Sequence, residues 1–145
     1  MTLRPVPRAT PRMRVLAARD RHGAAYVVEG CIALLQQHEV DDELLLVLGG
    51  EHAAAILAHG PREHEWYWLR VWAARGLLHL WDEAAIPSIV DALSDDAWRV
   101  REMAAKVVAR HRLDQALPEI VVLREDPVLR VRQATERALR ALTAG

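Results

Sequence analysis

The sequence predicts an all-α protein, built as a solenoid of about four stacked helical hairpins. Composition is the first reason: 52% of the 145 residues are apolar, Gly and Pro number only seven each, and Phe is absent, which favours helices over a many-stranded sheet. Repetition is the second reason. The phrases DAWRVREMAAKVVAR, from Asp96, and PVLRVRQATERALRA, from Pro127, begin 31 residues apart. A fixed period of this size is typical of solenoids.

The first 21 residues are expected to form a basic, mobile tail. Residues 1–21 contain six Arg and one Asp, and Pro5, Pro7 and Pro11 interrupt any early helix. Such a tail serves either as an electrostatic arm for nucleic acid or an acidic partner, or only as a solubilising terminus. A single solenoid domain is expected to follow over residues 22–145.

Helical spacing of apolar residues divides that domain into units of two helices. Pro87 and Pro118 lie near the starts of the first helices, where a missing backbone N–H costs little. The pair Gly49–Gly50 ends a short early helix, as expected of an atypical capping repeat. The predicted hairpins cover residues 51–80, 83–113 and 115–143, with a degenerate hairpin at 23–48.

A column of arginines recurs with the same period as the units. Arg70, Arg101 and Arg132 are each 31 residues apart, and Asp95 and Asp126 occupy the turn between the two helices of their units. An Asp in such a turn can cap the following helix. An Arg that repeats beside it can donate charge-assisted hydrogen bonds from one unit to the next. We therefore predict that these five residues form a structural ladder.

Two stretches carry the most specific pattern of the chain. They read AIPSIVDALSDDAWRVREMAAKVVAR and ALPEIVVLREDPVLRVRQATERALRAL, and in each an Asp precedes a Val-Arg pair. The pattern occupies Asp95, Val100, Arg101 and Ala104 in the first stretch, and Asp126, Val131 and Arg132 in the second, with Thr135 in place of the Ala.

These stretches resemble HEAT repeats, specifically the short variety first associated with phycobilin lyases, and the resemblance extends over residues 51–142. The unit at 51–80 departs from the pattern because it has His64 where the Asp is expected. The resemblance implies a right-handed stack of helix pairs whose second helices line the concave side. It further implies an interaction scaffold, although a few such proteins resemble enzymes.

A second column combines cations with aromatic residues on the three second helices. Within each helix its members are three or four residues apart and share one face, and Trp and Arg are the side chains most enriched at binding hot spots. The predicted partner-binding residues are Trp68, Trp72, Arg75, Arg99, Glu102, Lys106, Arg130 and Arg137. Two alternatives stay open: Trp72 belongs to the core with the cations merely solvated, or Glu102 only pairs with Arg99 or Lys106. Trp66, Tyr67 and Trp98 are expected to wedge between hairpins.

Three functions remain open. The leading one is a non-catalytic module whose basic, Trp-containing concave face binds a protein partner through an acidic segment or helix. The second is nucleic-acid binding by the basic second helices, as in the HEAT-like DNA glycosylases that the chain resembles, against which stands the net charge of -1. The third is a small-molecule binder or lyase with Trp68, Trp72 and Glu102 around a pocket.

No catalytic or cofactor motif is recognisable, and no metal or cofactor is expected. His59 and His64 lie near two Glu residues, but no HExxH spacing or Cys pair accompanies them. The single Cys31 cannot form an internal disulfide, so we expect a buried, inert thiol and a reducing, cytoplasmic location. The sequence contains no long uncharged apolar run, so we expect no contact with a membrane. The oligomeric state is left open.

Overall fold

The computed structural model describes residues 8–144, and over that range it contains eight α-helices, four short 3₁₀-helices and no β-strand. The predicted all-α solenoid of helical hairpins is confirmed. The helices are α1 (Pro11–His22), α2 (Ala24–Leu35), α3 (Asp42–His59), α4 (Trp66–His79), α5 (Ile86–Ala92), α6 (Trp98–His111), α7 (Leu117–Val122) and α8 (Leu129–Thr143). No helix among the described residues is long and apolar enough to cross a membrane.

The second helices of the three predicted hairpins pack against one another in a continuous row. α4 packs against α6 and α6 against α8, while the shorter α5 and α7 each pack on the second helix that follows them. The periodic apolar residues Leu69, Val100 and Val131 are buried in one continuous core. Because the units stack in register, equivalent positions of α4, α6 and α8 lie side by side.

Turn residues set where each helix begins. Pro87 and Pro118 lie in the first turns of α5 and α7. Asp95 accepts a hydrogen bond from the N–H of Ala97 (2.9 Å), and Asp126 accepts one from the N–H of Val128 (2.9 Å). The two aspartates therefore accept hydrogen bonds from backbone N–H groups that lie just before α6 and α8. Without the aspartates these N–H groups would lack partners.

Helix α3 is broken at Gly50, whose φ of 58° and ψ of -135° are not helical. Glycine adopts this conformation without the steric cost that a side chain brings. Two arginines occupy carbonyls that the break leaves open: Arg14 Nε donates to Val47 O (2.8 Å) and Arg75 Nη2 donates to Leu48 O (2.7 Å). The predicted boundary between the early unit and the next one is thus a kink held by two guanidinium groups.

The prediction of a mobile tail is wrong for residues 11–21, which form most of α1. Thr10 caps this helix by accepting from the N–H of Met13 (3.1 Å), and Pro11 lies in its first turn, where a missing N–H is harmless. Val15 and Ala18 are buried. The proline that was expected to prevent a helix therefore starts one. Residues 1–7 of the predicted tail lie outside the described residues.

Helix α1 also changes the pairing in the early unit. α2 packs against α1 and α4, and α1 packs against α3 as well. The degenerate hairpin predicted at residues 23–48 is therefore wrong in its pairing, because α2 forms its closest hairpin with α1 rather than with the first part of α3. This pairing could not be predicted as long as residues 11–21 were expected to belong to a tail and not to a helix.

Candidate functional site

The Arg and Asp columns meet between successive units. Arg70 Nε and Nη2 donate to the two carboxylate oxygens of Asp95 (2.7 and 3.1 Å). Arg101 makes the same pair of bonds to Asp126 (2.8 and 3.2 Å). In both cases a guanidinium of one second helix holds, in bidentate fashion, the aspartate that precedes the next second helix.

The third nitrogen of the guanidinium reaches backward to the turn of its own unit. Arg101 Nη1 donates to Asp95 O (2.8 Å) and Asp96 O (3.1 Å), and Arg132 Nη1 donates to Asp126 O (2.7 Å). Burial raises the pKa of Asp126, but the hydrogen bonds from Arg101 and Val128 and the nearby arginine charges outweigh it and hold the pKa below its usual value. Asp126 is therefore an ionised, buried link of a ladder that runs through three units.

Two members of the predicted partner-binding set are structural. Trp72 is only 2% exposed, and a Cβ on Gly49 would lie 2.7 Å from its ring. Arg75 is half-buried and donates to Leu48 O, and both burial and the charge of Arg14 lower its pKa. A partner cannot reach Trp72, and Arg75 serves the kink of α3. The prediction of partner binding is therefore wrong for Trp72, whereas for the half-buried Arg75 it stays a prediction.

Much of the rest of the set does come together, and we define the Trp/Arg face as Trp68, Trp98, Arg99, Glu102, Lys106 and Arg130. Its centre is a stack of alternating indoles and guanidinium groups. Arg99 Cζ lies 5.2 Å from the ring centre of Trp68 and 4.5 Å from that of Trp98, and Arg130 Cζ lies 5.2 Å from Trp98. Each distance is within the range of a cation–π interaction.

Glu102 closes one end of the stack. Its carboxylate is almost fully buried and accepts from Arg130 Nε (2.9 Å) and Nη2 (3.2 Å), while Lys106 Nζ lies 4.0 Å away. Glu102 therefore pairs with Arg130 and Lys106, and not with Arg99. Both carboxylate oxygens are occupied, so the geometry favours positioning of Arg130 over acid–base chemistry.

Arg99 is the cation of the face that has no carboxylate beside it. Its Cζ lies within cation–π distance of two indoles, whereas its N–H groups donate to no acceptor within residues 8–144. Three cations against the single carboxylate of Glu102 leave the face positive. A guanidinium that lies against indoles and whose N–H groups have no acceptor is well suited to a carboxylate or a phosphate.

Trp98 is the residue of this face that the sequence did not assign to binding. It was expected to wedge between hairpins because it stands at the start of a second helix. Trp98 is the first residue of α6, however, and there its ring lies against Arg99 as well as Arg130. Arg137, which was predicted to join the face, is exposed on α8 and lines a groove at the end of the stack.

Two further predictions concern chemistry outside the face. Cys31 is fully buried, and burial raises the pKa of its thiol to about 12, which keeps it a neutral thiol. His59 Nε2 lies 3.8 Å from Glu65 Oε2, so the contact of His59 is with this glutamate. In the described part of the chain, no group of three or more His, Cys, Asp or Glu side chains is arranged to hold a metal ion.

A family model for HEAT repeats matches residues 53–140. The match covers more than half of the chain, which therefore belongs to the HEAT-repeat family. HEAT repeats generally mediate protein interactions. Comparisons with curated proteins and with solved structures returned no match.

Proposed function

We propose that this protein is a non-catalytic HEAT-repeat interaction module, a scaffold that binds an acidic segment or helix of a protein partner on the Trp/Arg face. The carrying observation is the environment of Arg99. Its Cζ lies 5.2 Å from the ring centre of Trp68 and 4.5 Å from that of Trp98, and none of its N–H groups has an acceptor among the described residues. A carboxylate of a partner would supply that acceptor.

Preorganisation is what makes this arginine suitable. A free Arg side chain loses rotamer entropy when it binds, and the flanking indoles already restrict Arg99 before a partner arrives. Arg130, in contrast, already donates its Nε and Nη2 hydrogens to the carboxylate of Glu102. The face therefore offers one open guanidinium within an apolar aromatic surface, the combination typical of hot spots.

The other functions are separated by charge and by burial. A small-molecule pocket built from Trp68, Trp72 and Glu102 conflicts with the burial of Trp72 and the closure of Glu102. Nucleic acid could also use the exposed cations, but the chain carries a net charge of -1, which opposes non-specific attraction to phosphates. We also propose a cytoplasmic location, because the chain has a single Cys and needs no disulfide. The Asp–Val–Arg–Ala pattern is the reason for assigning its repeats to the phycobilin-lyase variety.

Affinity capture from a native lysate, with and without nuclease, tests this proposal. Arg99→Glu should abolish capture of proteins that the wild type retains after nuclease treatment, because it places a carboxylate against the acidic segment. Arg110→Glu is the matched control, since Arg110 is an exposed arginine on the same helix and lies outside the face. Its capture should equal that of the wild type.

Trp68→Ala tests the aromatic part of the face. A hot-spot aromatic typically contributes about 2 kcal/mol or more, so this variant should bind at least about 30-fold more weakly. Capture that disappears with nuclease, or that weakens in equal steps with each cation removed and falls steeply with salt, would point to nucleic acid and contradict the proposal. Unchanged capture by both Arg99→Glu and Trp68→Ala would contradict it as well.

A further inference from the structure

The arginine ladder has one incomplete step at the end of the stack. Arg70 and Arg101 each hold the aspartate of the next unit through Nε and Nη2. Arg132, the third member, makes only the backward bond from Nη1 to Asp126 O. No residue in the described range supplies the carboxylate that the equivalent edge of Arg132 would take. This backward bond corresponds to the one from Arg101 Nη1 to Asp95 O.

Arg132 lines a groove along α8. The groove has a volume of about 430 Å³, and it is lined by Arg124, Leu129, Arg132, Gln133, Glu136, Arg137 and Arg140. Leu129 is 56% exposed, although Tyr67 and Trp98, at the same position of the preceding units, are half-buried and pack against the core. An apolar contact that is filled between the inner units is therefore also empty at this end.

Apolar exposure is concentrated in the same unit. Of the seven large hydrophobic residues that are exposed in the described chain, four belong to the last unit: Leu117, Val121, Val122 and Leu129. Four arginines and one glutamate line the groove, and the glutamate, Glu136, lies 3.6 Å from Arg124. The end of the stack thus combines apolar contacts with a positive charge that matches an acidic partner.

A complete further unit does not fit this face. Glu136 and Arg140 occupy the positions of Ala105 and Ala109 in α6, and Ala105 is fully buried in α6, the helix that packs against α8 of the next unit. A unit packed flush on α8 would have to bury the charges of Glu136 and Arg140, at a high desolvation cost. This argues against a second copy of the chain and in favour of a smaller segment.

We propose that the Arg132 groove binds an acidic residue that lies in a turn before a helix of a partner protein. The chain itself contains two filled examples of this interaction. Asp95 and Asp126 each cap the start of a helix with one oxygen while an arginine of the column holds the carboxylate. The binding surface is distinct from the Trp/Arg face, and it does not depend on the function proposed there.

A peptide from the chain provides the probe. Residues 91–105, DALSDDAWRVREMAA with both ends blocked, contain the turn of Asp95 and the start of α6. The peptide is titrated into the full-length protein while the side-chain Nε–Hε signals of the arginines are followed by NMR. The signal of Arg132 should shift and saturate. A peptide with Asp95→Asn should bind at least about tenfold more weakly, because it lacks the charge-assisted pair.

Protein variants locate the interaction. Arg132→Gln, and Arg132→Lys, which keeps the charge but lacks the bidentate edge, should both lose the binding. Arg110→Gln is the control, since it removes an exposed cation on α6 that lies outside both the ladder and the groove, and it should bind the peptide like the wild type. Circular dichroism of each variant verifies the fold. Equal binding of the Asp and Asn peptides, or saturation that leaves the Arg132 signal in place, would overturn the proposal. A shift of that signal with the concentration of the protein alone would identify a second copy as the occupant and overturn it too.

Discussion

Replacing Arg101 with Ala should destabilise the fold more than any other single truncation in the arginine column. The side chain donates two hydrogen bonds to the Asp126 carboxylate and two to the carbonyls of Asp95 and Asp96. After truncation, Asp126 keeps the bond from the N–H of Val128 and the nearby charge of Arg132, but it loses the guanidinium that holds both of its oxygens. Its side chain is only 4% exposed, so water cannot readily replace the guanidinium.

The expected cost follows from that burial. Removing one member of a buried ion pair costs about 3–5 kcal/mol. The remaining Val128 bond and the 14% exposure of Arg101 favour the lower end, about 3 kcal/mol. For a domain of this size, each kcal/mol lowers the melting temperature by about 2–4 °C. Arg101→Ala should therefore melt roughly 6–12 °C below the wild type, in a thermal unfolding experiment followed by circular dichroism.

Arg132→Ala is the matched control for this experiment. It removes an arginine of the same column whose only ladder bond is the one to Asp126 O. The loss of one hydrogen bond costs about 1 kcal/mol, so its melting temperature should fall by only about 2–4 °C. Equal shifts for Arg101→Ala and Arg132→Ala would refute the reasoning, because the bidentate pair would then contribute nothing beyond the carbonyl bond.

Three further predictions follow from burial. Trp72→Ala should lower the free energy of unfolding by about 3–5 kcal/mol, since a fully buried indole is deleted, whereas Trp68→Ala should cost much less; chemical denaturation compares the two. Cys31 should stay unlabelled by a thiol reagent at pH 8 until the protein unfolds, since its pKa is about 12; rapid labelling of the native protein would contradict its burial. The pKa of Asp126 is lower in the folded state than its usual 3.8, so its ionised form stabilises the fold above that pH. The stability advantage of the wild type over Asp126→Asn, measured by denaturant melts, should accordingly shrink as the pH falls through the folded-state pKa.

The periodic part of the fold could be predicted from the sequence because identical constraints recur there. Val100 and Val131 occupy the same position of successive units, and both are buried. The Asp and Arg columns repeat because the same Arg–Asp pair joins one unit to the next. The early part offered no such repetition. Helix α1 was missed because Pro11 was taken to break a helix, whereas Thr10 and Pro11 together start one.

The binding face was predicted only in part because a shared helix face does not distinguish exposed residues from buried ones. Trp72 and Arg75 share the face of Trp68 on α4, but the kinked early part of α3 lies over them. That cover depends on a non-repeating element, which periodicity cannot reveal. Trp98 was not assigned to binding because its place at the start of a second helix indicated a wedge between hairpins, whereas its ring lies against Arg99 and Arg130.

The central claim is that the open edge of Arg99 recognises an acidic segment of a protein. The most direct test is calorimetric titration of a captured partner's acidic segment into the wild type, Arg99→Gln and Arg110→Gln. A hydrogen bond to a charged group contributes about 1.5–3 kcal/mol, so Arg99→Gln should bind about 10- to 150-fold more weakly, and Arg110→Gln should bind like the wild type. Equal affinities for Arg99→Gln and the wild type would contradict the claim.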